Sequence, residues 1–334
     1  MPDSSVYLLI LIVILAVGFG VVNGFNDAAN AIATAVGTRV LSPRAAIAVA
    51  AVCNFAGAAT GTAVARTIGK GILAPEDVTA GVLIAALASI IIWGLFCTRF
   101  GLPISLTHGL VAGLVGAGIA TAGIDAIQWD VFLQRVLLAV AIAPALGFAG
   151  GFVVMALLMW VFRRSVPATM RNVFGNLQIL SAAFMAYSHG KNDGQMPIGV
   201  ITAGLVYYTG NAGLWDGIPW WVIAVSATSI TLGTAFGGWR VMRTLGLRIT
   251  ALRPVHGFAA EGSAAAIIEA ASHFGIPVST THCISSSIMG VGATRRLSAV
   301  RWGVAGNMVA AWIITFPVCC GLSWILGQLF QVSF

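Results

Sequence analysis

Charge is what this chain has least of. Its 334 residues include ten acidic and seventeen basic side chains, so charged residues are 8% of the total against 59% hydrophobic. Soluble domains carry roughly 25% charged residues, and a chain this poor in charge has no water-facing surface to wrap around so much apolar mass. That shortage argues against a soluble enzyme, and also against a nucleic-acid-binding module despite the net charge of +7. Cysteine is scarce as well. Cys53, Cys97, Cys283, Cys319 and Cys320 form no Cys-x-x-Cys pair, so they read as small packing residues and not as metal or redox centres. A Gly-x-x-x-x-Gly-Lys-[Ser/Thr] loop is missing, which argues against an ATP-driven pump, and so is a Gly-x-Ser-x-Gly elbow.

Long apolar runs take the place of charge. They fall at about 5–25, 43–65, 78–98, 102–121, 131–161, 176–206, 218–238, 256–273, 276–294 and 302–330, each near the length of a membrane span. No basic residue precedes the first run, so it is expected to be a span and not a secretory leader. With the N-terminus outside and one crossing per run, the inner loops collect Arg39, Arg44, Arg99, Arg163, Arg164, Arg171, Arg240, Arg243, Arg248, Arg253, Arg295, Arg296 and Arg301. The outer loops hold only Arg66, Lys70 and Arg135, with Asp3, Glu76, Asp77, Asp125, Asp130 and Asp216. This bias places both termini outside a multi-pass cell-membrane protein, with the bilayer as its main partner and no nucleic acid.

The chain also repeats itself. Gly101-Leu-Pro-Ile-Ser-Leu-Thr-His108 is echoed by Gly275-Ile-Pro-Val-Ser-Thr-Thr-His282, Asn26-Asp27 by Asn192-Asp193, and Arg66-Thr-Ile-Gly69 by Arg243-Thr-Leu-Gly246. The order is kept, and five runs per half, an odd number, turn the second half over relative to the first. The predicted fold is all-α, with about ten to twelve membrane segments in two inverted-topology repeats and broken or hairpin helices at the midplane. Residues 1–162 form the first repeat, 163–175 a short cytoplasmic linker and 176–334 the second. Gly-x-x-x-Gly at Gly57/Gly61, Gly109/Gly113, Gly147/Gly151 and Gly233/Gly237 reads as close helix packing.

Two such halves suggest one central site. Proline followed by serine and threonine suits a helix start, and a start inside the membrane turns free N–H groups and a positive dipole end towards its surroundings. Ser105, Thr107, Ser279, Thr280 and Thr281 are therefore candidate donors to a tetrahedral anion, with Asn26 and Asn192 beside them; ordinary capping is the competing reading. Acids inside a membrane are costly and mark function. Asp27, with Asn26 and Asn30, and Asp193 offer hard oxygen ligands for Na⁺ or carboxylates that take up H⁺; an Asp193–Lys191 ion pair serving packing is the alternative. Glu261 is a third such acid without a basic neighbour in sequence. His108 and His282 are secondary candidates for proton or anion contact, beside a purely structural role. An intramembrane hydrolase is disfavoured, because the doubled motif has no purpose in a one-site enzyme, and no resident cofactor is expected.

These motifs resemble the Pit family of inorganic phosphate transporters over nearly the whole chain. Gly24–Gly37, His189–Gly199, Gly257–Gly262 and Gly275–Gly292 match its signatures. The resemblance implies cation-coupled phosphate uptake, with essential carboxylates at Asp27, Asp193 and Glu261 and phosphate contacts at the Ser/Thr of the two helix starts. Sodium-coupled members carry a glutamate where Asn54 stands, which tilts the expectation to H⁺ over Na⁺. A sulfate-carrying branch shares the motifs, so sulfate and metal-phosphate stay open as alternative substrates, and homodimer as an assembly.

Overall fold

A backbone in lipid has to satisfy its own polar groups, so an apolar chain of this kind is driven to helix. The computed structural model describes residues 3–333, and among these the only strand-like pairing is one isolated bridge, Leu73–Ile127. The terminal residues, whose side of the membrane was inferred above, and the Asp3 side chain lie outside the described part.

The chain opens with α1 (Asp3–Gly37), then α2 (Pro43–Ala58) and α3 (Ala63–Lys70), which meet at a 70° bend. Next come α4 (Ala80–Phe100), α5 (Leu106–Ala122) and α6 (Trp129–Val161). The same order follows again. α7 (Pro167–Asp193) and α8 (Gln195–Thr209) stand where α1 stood, and α9 (Trp220–Phe236) and α10 (Trp239–Arg248) bend by 62°. α11 (Pro254–His273), α12 (Thr280–Ala293) and α13 (Trp302–Ser333) complete the set.

Four helical segments are long and apolar enough to cross a bilayer alone, namely Val6–Gly37, Ala80–Phe100, Trp129–Val161 and Trp302–Leu329, and the two bent pairs raise the number to six. The ten apolar runs thus resolve into continuous spans, broken spans and shorter helices. α5 and α12 have 17 and 14 residues. At about 1.5 Å per residue they rise roughly 25 and 21 Å, short of a hydrocarbon core of about 30 Å.

The doubled motif is a helix stop and a helix start in one stretch. Gly101 and Gly275 take the left-handed conformation, with φ of 69° and 68°. They let Leu102 N–H bond back to the Cys97 carbonyl at 3.0 Å and Ile276 N–H to that of Ala271 at 2.9 Å, a glycine-terminated helix end. An extended stretch through proline follows. Ser105 and Ser279 then cap α5 and α12, accepting from His108 N–H at 3.2 Å and His282 N–H at 3.1 Å. The Arg-Thr-x-Gly motif also finds its place here. Thr67 donates to the Gly275 carbonyl at 2.7 Å and Thr244 to that of Gly101 at 3.0 Å, so each turn is held by the other half of the chain.

Packing is likewise crosswise. α1 lies on α9 and α7 on α2, while α5 lies on α13 and α12 on α6. The first two crossings are close because glycine sits there: a Cβ on Gly24 would strike the Ile230 carbonyl, and one on Gly190 that of Asn54. Buried apolar residues gather in two bodies. One takes Ile12–Val22 of α1 together with α4, α5 and Met196 onward in α8; the other takes Ala31–Ala33 of α1 together with Met185 and Ala186 of α7, α11 and α12. The stretches in between, Asn23–Asn30 and Ser188–Gln195, carry buried polar side chains. Polar chemistry is therefore concentrated where the two apolar bodies meet.

Candidate functional site

Four stretches converge at that seam: the middle of α1, the end of α7 and the starts of α5 and α12. Asp27 is 1% exposed and Asp193 0%, which places two acids out of reach of water. Each finds a hydroxyl donor on α12. Thr281 donates to Asp27 Oδ1 at 3.1 Å, and Thr280 to Asp193 Oδ2 at 3.3 Å. Asn30 donates its amide to Thr281 Oγ1 at 2.8 Å, and Asn192 donates to Asp193 Oδ1 at 2.7 Å and to the Val278 carbonyl at 2.8 Å. Thr107 reaches the same Val278 carbonyl at 3.3 Å, so the extended stretch before α12 is held from both halves. The elements bring together Asp27, Asn30, Asn192, Asp193, Thr107, Thr280 and Thr281.

Ser105 and Ser279 are spent as caps only in part. Each hydroxyl oxygen accepts a backbone N–H, and its own hydrogen is left to donate. Asn26 sits at the edge of the group and donates to Thr98 Oγ1 on α4 at 2.5 Å. The Oδ1 atoms of Asn26 and Asn30 and both amide atoms of Asn23 are buried without a hydrogen-bond partner. Buried polar groups rarely stay unpaired, so these atoms near the middle of α1 are polar capacity that the fold itself leaves unused.

His189 is the residue that sequence reasoning missed. Its Nε2 stands 3.3 Å from Asp193 Oδ2, one turn along α7, and its Nδ1 is 2.8 Å from Asn54 Oδ1. Asn54 donates its own amide to Thr234 at 3.0 Å, so its carbonyl oxygen faces the ring and the neutral imidazole carries its hydrogen on Nδ1. Nε2 then presents a lone pair to a carboxylate oxygen, an arrangement made favourable by a proton or another cation between them. Ligand atoms of Asp27, His189 and Asp193 lie within 4.8 Å of one another. The i, i+4 spacing of His189 and Asp193 on one helix was the available signal.

The alternative ion pair does not form: Lys191, 16% exposed, pairs with Glu269 on α11 and not with Asp193. Glu261 has its own set of partners, apart from those of the two aspartates. It is wholly buried, with Thr34 and Ser181 donating to its carboxylate and the Gln178 amide at 3.3 Å. His108 and His282 meet edge to face with ring centroids 4.9 Å apart, and His282 lies 4.0 Å from the Trp312 ring. Both nitrogens of His282 and Nε2 of His108 are buried and unpartnered.

The model of the phosphate transporter family matches residues 23–323. A protein of Rhizobium meliloti (strain 1021) named "Probable low-affinity inorganic phosphate transporter" is 44% identical over 95% of this chain and 94% of its own length. One of the same name from Bacillus subtilis (strain 168) is 42% identical over 99% of this chain and all of its own. Among solved structures, one described as "The sodium-dependent phosphate transporter" superposes with a TM-score of 0.91 at 28% identity, covering 98% of this chain and 100% of that one. With a family match over most of its length and relatives this similar end to end, the chain belongs to the phosphate transporter family and is an integral membrane protein.

Proposed function

We propose that the protein carries inorganic phosphate across the membrane together with a cation, with H⁺ in preference to Na⁺. One observation carries the reading: the hydroxyls best suited to hold an oxyanion, Thr280 and Thr281, donate to Asp193 and Asp27. An anion and the two carboxylates compete for the same donors, and in a desolvated site like charges repel strongly. A proton or cation at the carboxylates frees the hydroxyls and cancels the repulsion. Ser105 and Ser279 then add their unused hydrogens, together with the N-terminal N–H groups of α5 and α12. Anion and cation thus bind well only together, which is the requirement for symport.

The proton preference rests on Asn54: a neutral amide there supplies no further carboxylate for several sodium ions. Glu261, held apart among Thr34, Gln178 and Ser181, is a second proton carrier. The halves 1–162 and 176–334 act as inverted repeats joined by 163–175; the crosswise packing supports this division. Uptake of labelled phosphate and labelled sulfate into proteoliposomes tests the proposal, with a pH gradient or a Na⁺ gradient imposed separately. Phosphate should accumulate on an acid-outside gradient in Na⁺-free buffer, with sulfate competing weakly. Strict dependence on Na⁺ at constant pH would overturn the proton assignment, and preference for sulfate would overturn the substrate.

A further inference from the structure

A cavity of about 760 Å³ lies away from the central site, between the end of α6, the starts of α7 and α11, and the loop after α12. Three arginines line it, Arg171, Arg253 and Arg295, one from each of the last three segments. Among the described residues no carboxylate pairs with any of them. By contrast, Arg163 nearby is engaged over the Trp160 ring at 5.4 Å. The start of α7 at Pro167 follows an extended residue and has no side-chain cap, so its first backbone N–H groups add to the positive field. The opposite wall is apolar: Leu158 and Met159 of α6, and Phe162 just after it. The same helix continues outward as Leu157 and Trp160, 56% and 64% exposed, on the lipid-facing surface.

Three unpaired cations at one end and an apolar ramp open to lipid at the other describe an amphiphile with an anionic head. We infer that this cavity binds an anionic phospholipid, its phosphate on Arg171, Arg253 and Arg295 and an acyl chain along α6. Free phosphate would match the arginines and leave the apolar wall without an occupant; the lipid satisfies both. The arginines belong to loops that the positive-inside rule assigns to the cytoplasm, the side where acidic headgroups attract basic clusters. The site bridges the short link between α6 and α7 to the start of α11, which carries Glu261. The inference concerns a second ligand and stands whether or not the transport reading holds.

The test is equilibrium binding of acyl-labelled phosphatidylglycerol to the purified full chain in a neutral detergent. Replacing the three arginines together (R171Q, R253Q, R295Q) should weaken binding on the order of a hundredfold, and Arg295→Gln alone by roughly fivefold. Phosphatidylcholine with the same label should bind weakly and equally to all forms. Unlabelled phosphatidylglycerol should displace the probe, whereas millimolar inorganic phosphate should not. Because all three arginines are exposed, folding should survive their loss, and the single variant gives the answer where the triple one is not recovered. Displacement by inorganic phosphate would show a free-anion site and overturn the lipid assignment. Equal binding of the two lipids, or unchanged binding in the variants, would overturn the site.

Discussion

Asp27 and Asp193 were legible because a carboxylate in an apolar run announces itself, and the Ser/Thr donors because they occur twice. His189 was not, since its meaning depends on Asn54, which is 135 positions away in sequence and is brought against it only by the α2–α7 crossing. The Lys191–Glu269 pair was hidden for the same reason: the partners are 78 positions apart. At this scale Asp27→Asn and Asp193→Asn should each abolish coupled uptake while leaving a folded protein, because the amide keeps the shape and loses the charge; normal uptake in either would make that acid structural. Ser105→Ala with Ser279→Ala should weaken phosphate affinity more than either change alone, at about 1.5–3 kcal/mol for each hydrogen bond to a charged group. A phosphate titration of the double variant indistinguishable from wild type would move the anion site elsewhere. Glu261→Gln should flatten the pH dependence of uptake, read from initial rates across a pH series, since the amide preserves the polar surroundings and cannot carry a proton.

Among the elements, the two bends were the least legible feature. The apolar runs 43–65 and 218–238 read as straight crossings, yet the chain turns by 70° and 62° near Gly61 and Gly237. Periodicity reports which face is apolar and says little about where a helix changes direction, so only the glycines hinted at it. The turns at Gly101 and Gly275 were visible as motifs, but their fastening by Thr244 and Thr67 was not, because each threonine comes from the opposite half. Thr67→Val and Thr244→Val should each lower thermal stability in detergent, since a carbonyl loses its donor at a cost of about 1–3 kcal/mol. An unchanged melting temperature in both would mean that the turns hold without those hydroxyls. A larger loss is expected for Gly190→Val, whose side chain would meet the Asn54 backbone and force α7 off α2.

At the scale of the whole molecule, a polar seam lies where two apolar bodies touch. The molecule's sidedness can be checked directly. A cysteine at Ser165 should react with a membrane-impermeant reagent only from the cytoplasmic face, and one at Asp216 only from outside; labelling of both from one face would refute the crossing pattern. The two bodies have a further consequence, because neither belongs to one half of the chain. Each draws helices from before and after the short link between α6 and α7, and α1, α6 and α13 each enter both. A cut in that link should therefore leave a working molecule if both pieces are made in the same cell, whereas either piece made alone has no complete interior to fold around.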